Sequence, residues 1–500
     1  MTRRPLPALT TLAFALALAL SPAAAAAVSE HSEAELLAQP APASAPAPMS
    51  APPTATAPMS SMDNPPPEAE SPSEEDADDD IEDDGGDDGG DDGGGAEDRE
   101  RARKKPRKRR ERAEPNAADP LVQHQPLQVP TSPGSTLTIG GYIESFYSYN
   151  FNRPSNGLTN FRAFDNQHNS LTLQNAVLDT AWTSEQVYAR IALQAGHAPN
   201  TYYGASEPTR LGADGVGTSD PSLWRNIQQA YIGVRPFASA PIFLEAGIFL
   251  SPIGFEGLGV HENWHWSHSP LFFALPFYHS GIKVGAQLAK DHLFKVALYN
   301  GWNNVTDNNS EKSLSAEYAY TPSDRFGLAA VYFTGVERPT GAPEGRAWRH
   351  VLNVAAKGSP IPRLGLIGNL NAGIEPNLFG TSRWIAAAGG ARVEAFPWLF
   401  FAGRGSVISE ARSANGGLAD PILLANYTDD PNQWVGSGTF TVDLRPVPDH
   451  FAIKLEYRHD HARSDIFFRG MVTGSGTADD PYVTNALAQN TLMLGLHAWF

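Results

Sequence analysis

His261-Glu262-Asn263-Trp264-His265 has the residue types and spacing of H-E-x-x-H, with His268 and His279 close by. That chemistry puts two histidines on one helical face to hold zinc, with the glutamate acting on a metal-bound water. Here the stretch follows Gly257-Leu258-Gly259, includes Trp264, precedes Trp266 and runs into Ser269-Pro270, so no amphipathic helix surrounds it. It reads as a packed aromatic loop, and neither a metal nor a cofactor is expected. The chain carries no Gly-x-Ser-x-Gly elbow, phosphate-binding loop or paired-carboxylate motif. No catalytic residue can be named, and the chain is not expected to be an enzyme.

The other chemically capable residues are charges set at alternate positions of apolar segments. At 451–461, Phe451, Ile453, Leu455 and Tyr457 alternate with Lys454, Glu456, Arg458 and Asp460. At 434–445, Phe440, Val442 and Leu444 alternate with Thr439, Thr441, Asp443 and Arg445. A period of two places one set on each face of a β-strand. The polar faces carry small residues or both signs of charge, as a hydrated lumen would. The expected pore-lining set is Glu144, Asp179, Arg190, Glu245, Lys283, Lys295, Glu317, Arg392, Arg404, Asp443, Lys454, Glu456 and Arg458. Mutual ion pairing that stiffens the wall is the plainer account of the same residues, and the two accounts are not exclusive.

Sixteen alternating segments must position these side chains. They fall near 136–151, 169–183, 186–197, 225–236, 241–250, 280–290, 293–301, 312–321, 326–336, 347–357, 363–375, 384–396, 399–409, 434–445, 451–461 and 490–500. Every second connection is short and turn-like, such as Lys290-Asp291-His292 and Thr321-Pro322-Ser323-Asp324, whereas the others are mostly longer. Short turns at one end and long loops at the other predict an all-β fold. It would be a transmembrane, antiparallel, up-and-down β-barrel of about 16 strands, with both termini on the short-turn side. Trp182, Phe396, Trp398, Trp499 and Phe500 lie near short turns, where an interfacial aromatic girdle belongs. The last strand, Asn490–Phe500, has an unbroken apolar face, as closure in lipid demands.

Ahead of the barrel the composition changes. Arg3-Arg4, an apolar run from Leu9 to Leu20 and alanines to Ala27 predict a signal peptide over 1–27. Residues 28–133 are rich in Pro, Ala and Ser and then in charge. Eighteen acidic residues lie between Glu68 and Glu100, and ten Lys or Arg between Arg99 and Arg112. Such a segment buries too little apolar surface to order itself and reads as a disordered tail. The aspartates lack the spacing of an EF-hand loop. In an exported chain the basic run points to an acidic cell-wall or lipid surface, not to nucleic acid. Most of the net charge of −18 belongs to the tail, since residues 136–500 hold 25 basic against 30 acidic residues. The chain contains no cysteine, which suits an oxidising compartment.

Several segments resemble the OmpL-like putative β-barrel porins of Gram-negative outer membranes. They are Gly141-Tyr-Ile-Glu-Ser-Phe-Tyr-Ser-Tyr149, Ser251-Pro-Ile-Gly-Phe-Glu256, Leu298-Tyr-Asn-Gly-Trp-Asn-Asn-Val-Thr-Asp-Asn308 and Arg445-Pro-Val-Pro-Asp-His-Phe-Ala-Ile-Lys-Leu-Glu-Tyr-Arg-His-Asp460. The terminal Trp499-Phe500 also resembles the assembly signal read by the barrel-assembly machinery. The resemblance covers 134–500 and implies an outer-membrane barrel that passes small solutes. The expectation is therefore a porin-like channel for passive or weakly selective diffusion of small hydrophilic solutes. Its tail would lie in the periplasm near the cell wall. The loop at 250–280, through Trp264, Trp266, Phe272, Phe273 and Phe277, would fold inward as a constriction. A non-conducting structural or adhesive barrel anchored by the charged tail is the second reading, and an outer-membrane hydrolase the third.

Overall fold

The computed structural model describes residues 127–202, 224–237, 240–411, 432–477 and 479–500. The expected signal peptide and nearly all of the expected tail, including its acidic and basic blocks, lie outside the described residues. Strand β1 (Leu127–Ser132) is followed by sixteen longer strands, β2 (Ser135–Asn150) to β17 (Ala488–Trp499). Each of β2 to β17 pairs antiparallel with its sequence neighbours. The sheet closes where β17 pairs β2, from Thr491 opposite Asn150 to Trp499 opposite Tyr142. Closure leaves these strands no open edge, which a sheet in hydrocarbon must avoid.

Side-chain polarity is inverted relative to a soluble sheet. On β16 (Phe451–Ala462), Leu455 and Tyr457 are 44% and 46% exposed, whereas Lys454, Glu456 and Arg458 are at most 1% exposed. The apolar face therefore looks out to lipid and the charged face looks into the barrel. Phe396 and Trp398, flanking the turn from β13 (Gly380–Phe396) to β14 (Leu399–Ala411), stack outward with ring centroids 5.5 Å apart. This is where the interfacial girdle belongs.

The connections alternate in length as the segments imply. Tight turns join β7 (Tyr278–Ala289) to β8 (His292–Tyr299), β9 (Ser313–Ser323) to β10 (Phe326–Val336) and β11 (Trp348–Ile361) to β12 (Leu364–Asn377). At the opposite end the loops span 151–169, 251–277, 300–312, 337–347 and 463–487. One connection at that end departs from the expected length: only Leu378 and Phe379 separate β12 from β13. Both strands run beyond 375 and 384, and Pro376 is accommodated within the ladder opposite Thr381.

One strand corrects the expected tail, which was to extend to 133. Leu127–Ser132 pairs with Ser135–Ile139 of β2, Leu127 opposite Ile139. It takes the part of β2 below Gly141, where the main chain of Phe500 closes the β17 pairing. Pro130 is tolerated because a strand at a sheet margin can spare a donor.

Candidate functional site

Between β6 (Ile242–Leu250) and β7 the chain turns into the barrel. Pro252 and Pro270 limit its paths, and a short 3-10 turn, Pro270–Ala274, lies against β13 and β14. One side of this loop, the third at the long-loop end after those following β2 and β4 (Val187–Ala195), is apolar. Its Ile253, Leu271, Ala274 and Leu275 pack with inward-facing Phe333, Val351, Trp384, Ala386, Ile408 and Val435. Burial of that many apolar side chains is the non-directional part of its anchoring.

The other side is held by directed bonds from wall charges. Glu144 of β2 accepts the backbone N–H of Val260 at 2.5 Å. Lys454 donates to the carbonyls of Val260 and Asn263 at 2.9 and 2.6 Å. Glu456 accepts the N–H groups of Trp266 and Ser267 at 2.7 and 3.1 Å. Arg458 donates to the His268 carbonyl at 2.5 Å while binding Asp460 at 2.7 Å. Arg404 of β14 pairs with Glu256 at 2.5 Å, and Glu256 in turn accepts the Ser269 N–H at 2.9 Å. Charge-assisted bonds of this kind are among the stronger ones available to a loop.

Two local backbone features make room for this docking. A β-bulge lies on β3 (Ser170–Thr183) opposite Glu144 and Ser145. It turns Gln174 inward beside Asn175, so Gln174 meets both Glu144 at 3.0 Å and the Trp266 indole N–H at 2.9 Å. Gly495 of β17 supplies the floor under the Trp266 ring, where a Cβ would come within 2.0 Å of a ring carbon.

The H-E-x-x-H residues take part as packing groups. Val260–Glu262 forms a single 3-10 turn and Asn263 is already extended, so His261 and His265 share no helical face. His261 lies against the Tyr142 ring at 4.5 Å. The Thr441 hydroxyl donates to Glu456 and so accepts from His265 Nδ1, 2.7 Å away. Burial holds the His265 imidazole well below its ordinary pKa, and the cations Arg404, Lys454 and Arg458 add to this. His268 is lowered too, again by burial first. Among the described residues, no group of three or more His, Cys, Asp or Glu is arranged to hold a metal.

The remaining charges of the expected lining are paired along the wall. Asp179 meets Arg190 at 2.5 Å, Glu245 meets Lys283 at 2.7 Å, and Lys295 meets Glu317 at 3.0 Å. Arg392 meets Asp443 at 3.2 Å. Of the loop aromatics, Trp266 and Phe272 are buried, whereas Trp264 and Phe277 are partly exposed. Phe272 packs on His268 and Phe277, with centroids at 4.2 and 5.1 Å. Phe273 sits on the same short turn as Phe272. At the seam, Gly141 and Phe500 exchange main-chain hydrogen bonds of 3.2 and 3.1 Å.

Residues 136–500 match the family described as "Putative beta-barrel porin-2, OmpL-like". The chain belongs to that family. It is therefore a porin-type β-barrel of the Gram-negative outer membrane. No curated protein matches the chain. Among solved structures it is similar to outer-membrane expressed OmpT of Vibrio cholerae, at 9% identity and TM-score 0.46, covering 74% of this chain and 100% of that one. It is also similar to the outer membrane channel DcaP of Acinetobacter baumannii, at 11% identity and TM-score 0.46, covering 74% and 99%. The anion-selective porin from Comamonas acidovorans aligns at 10% identity and TM-score 0.45, covering 73% and 100%.

In this OmpL-like barrel several anchoring residues escaped the sequence reading. Arg162 and Asp165, in the loop after β2, form a buried pair at 3.0 Å, and Arg162 reaches Asp460 at 3.8 Å and the Thr491 hydroxyl. Nothing periodic marks them. Arg338 and Arg349 share Glu375 at 2.7 Å each. Glu375 ends the 363–375 segment, but its partners lie on another strand and in a loop.

Proposed function

We infer that the protein is a porin for passive or weakly selective diffusion of small hydrophilic solutes, with residues 251–277 as the constriction. The observation that carries this reading is the anchoring of one loop to strands β2, β14, β15 (Asn432–Val447), β16 and β17 of a sixteen-stranded barrel. A barrel of that size leaves an aqueous channel unless something enters it. A loop held by charges at fixed depth narrows the channel and sets which ions pass. On this reading the paired wall charges line the path, and Trp499-Phe500 is the signal read by the barrel-assembly machinery. An N-terminal signal peptide exports the chain, and the charged tail stays periplasmic, against the cell wall.

Single-channel conductance in planar bilayers tests the reading. The intact protein should conduct, and replacing His261 to Phe277 with a short Gly-Ser linker should raise conductance and weaken ion selectivity. Equal conductance in both would place the constriction elsewhere. A second reading, a non-conducting structural barrel, is favoured by the apolar packing of the loop against inward-facing wall residues. It expects no conductance from the intact protein and a clear current from the linker variant.

A further inference from the structure

Beneath the third loop, the wall between β13 and β16 holds two arginines that the loop anchoring does not use. Arg392 donates through Nη2, and Arg445 through Nε and Nη2, to one atom, Oδ2 of Asp443, at 3.2, 3.1 and 3.0 Å. Asp443 Oδ1 and Arg392 Nε have no hydrogen-bond partner. Lys454 stands opposite Asp443 in the ladder, but its ammonium is spent on two loop carbonyls. Two guanidinium groups thus share one oxygen of one carboxylate, and the Arg392 and Arg445 side chains each remain 18% exposed.

Aromatic surfaces flank the same cations. The two guanidinium groups lie 3.9 and 5.2 Å from the centre of the Phe400 ring. Trp264 is partly exposed, whereas His265 to Phe272 after it are buried. It is held against Gly365, the ladder partner of Arg392, where a Cβ would meet its ring at 2.9 Å.

Guanidinium forks bind carboxylates through paired N–H donors, and flat apolar bodies stack on Trp, Phe and guanidinium planes. Resting on the channel reading above, we propose that Arg392, Arg445, Phe400 and Trp264 form a transit subsite for small planar organic carboxylates. Three donors crowd one oxygen of Asp443, so an entering carboxylate can take the donors of one guanidinium while Asp443 keeps the other. The exchange replaces part of the hydration shell without leaving a wall charge unmatched. That balance lets a solute bind and also leave.

The test uses the full-length protein in planar bilayers, with a KCl gradient for the reversal potential and benzoate as the probe. The wild type should prefer anions and show benzoate block. R392Q/R445Q should lower the anion-to-cation permeability ratio several-fold and abolish the block. R392K/R445K should keep the anion preference but bind benzoate about tenfold more weakly, since charge remains while the fork is lost. G365A, which displaces Trp264, should weaken the block and leave the reversal potential unchanged. Wild-type selectivity and block in R392Q/R445Q would overturn the subsite, as would an unblocked wild type. If the Gln variant lacks heat-modifiable migration, the Lys variant decides, and unchanged benzoate affinity there overturns the proposal. If the wild type does not conduct, the channel reading falls by itself. Benzoate quenching of tryptophan fluorescence in detergent then decides the subsite: binding lost on Arg392 and Arg445 substitution supports it, and no binding overturns it.

Discussion

The Glu456 carboxylate accepts the backbone N–H of Trp266 at 2.7 Å, and so joins the barrel wall to the middle of the third loop. Its second oxygen accepts the next N–H, that of Ser267. One wall carboxylate thus satisfies two consecutive buried donors that no regular structure serves, each worth about 1–3 kcal/mol if left unmatched. The loop is specified by side chains of the wall and does not hold its place by its own hydrogen bonds alone.

Gly495 is the residue under that contact. A Cβ there would lie 2.0 Å from the Trp266 ring. G495A should displace the indole at a cost of about 1–3 kcal/mol to loop docking and leave the strand ladder paired. Channel currents should become larger or noisier while heat-modifiable migration stays normal. Currents identical to wild type would show that Trp266 does not set the aperture.

Loop docking should weaken in acid. His265 has a docked pKa well below its ordinary value of 6.5, so the docked state binds fewer protons than the released one. Its contribution is complete above about pH 6.5 and falls as pH drops below that, by at most about 1.4 kcal/mol per pH unit. The protonated ring would face Arg404, Lys454 and Arg458, with Glu456 at 3.9 Å the nearest carboxylate. Conductance should therefore rise or fluctuate below pH 6, and less so in H265Q. A pH profile unchanged by H265Q would remove His265 from this role.

Removing Trp499 and Phe500 should prevent barrel assembly. Trp499 is the last ladder partner of β2, and Phe500 exchanges two main-chain hydrogen bonds with Gly141. The truncated protein should lose heat-modifiable migration and membrane recovery. Normal values of both would show that closure needs neither residue.

Deleting residues 28–116 should leave a folded barrel of equal conductance. The described strands begin at Leu127, and the loop inside the barrel is 251–277. A clear rise in conductance on deletion would instead make the tail a plug.

The sixteen barrel strands were legible because their outward residues must be apolar and their inward ones need not be, which imposes a period of two. Strand β1 was not. Leu127-Gln-Val-Pro-Thr-Ser132 has one proline inside and another just after, and its order comes from pairing with β2, not from its own pattern. The two-residue connection at Leu378-Phe379 was hidden by Pro376, which reads as a strand end. Wall charges such as Arg404 and Asp460 could be found by parity. Their partners could not, because Glu256 and Arg162 lie in aperiodic loops where only three-dimensional proximity reveals the pairing.

The seam between β2 and β17 has a kinetic consequence. Its partners, such as Tyr142 and Trp499, come from opposite ends of the folded segment. Closing so long a span carries a large entropic cost and makes such topologies slow to form. The third loop lies midway along the chain and bonds both Glu144 on β2 and Lys454 on β16, the strand next to β17. Docked before the final ladder zips, it would bring the two margins within reach of each other. On the channel reading proposed above, the segment that narrows the pore would also splint the last step of its closure.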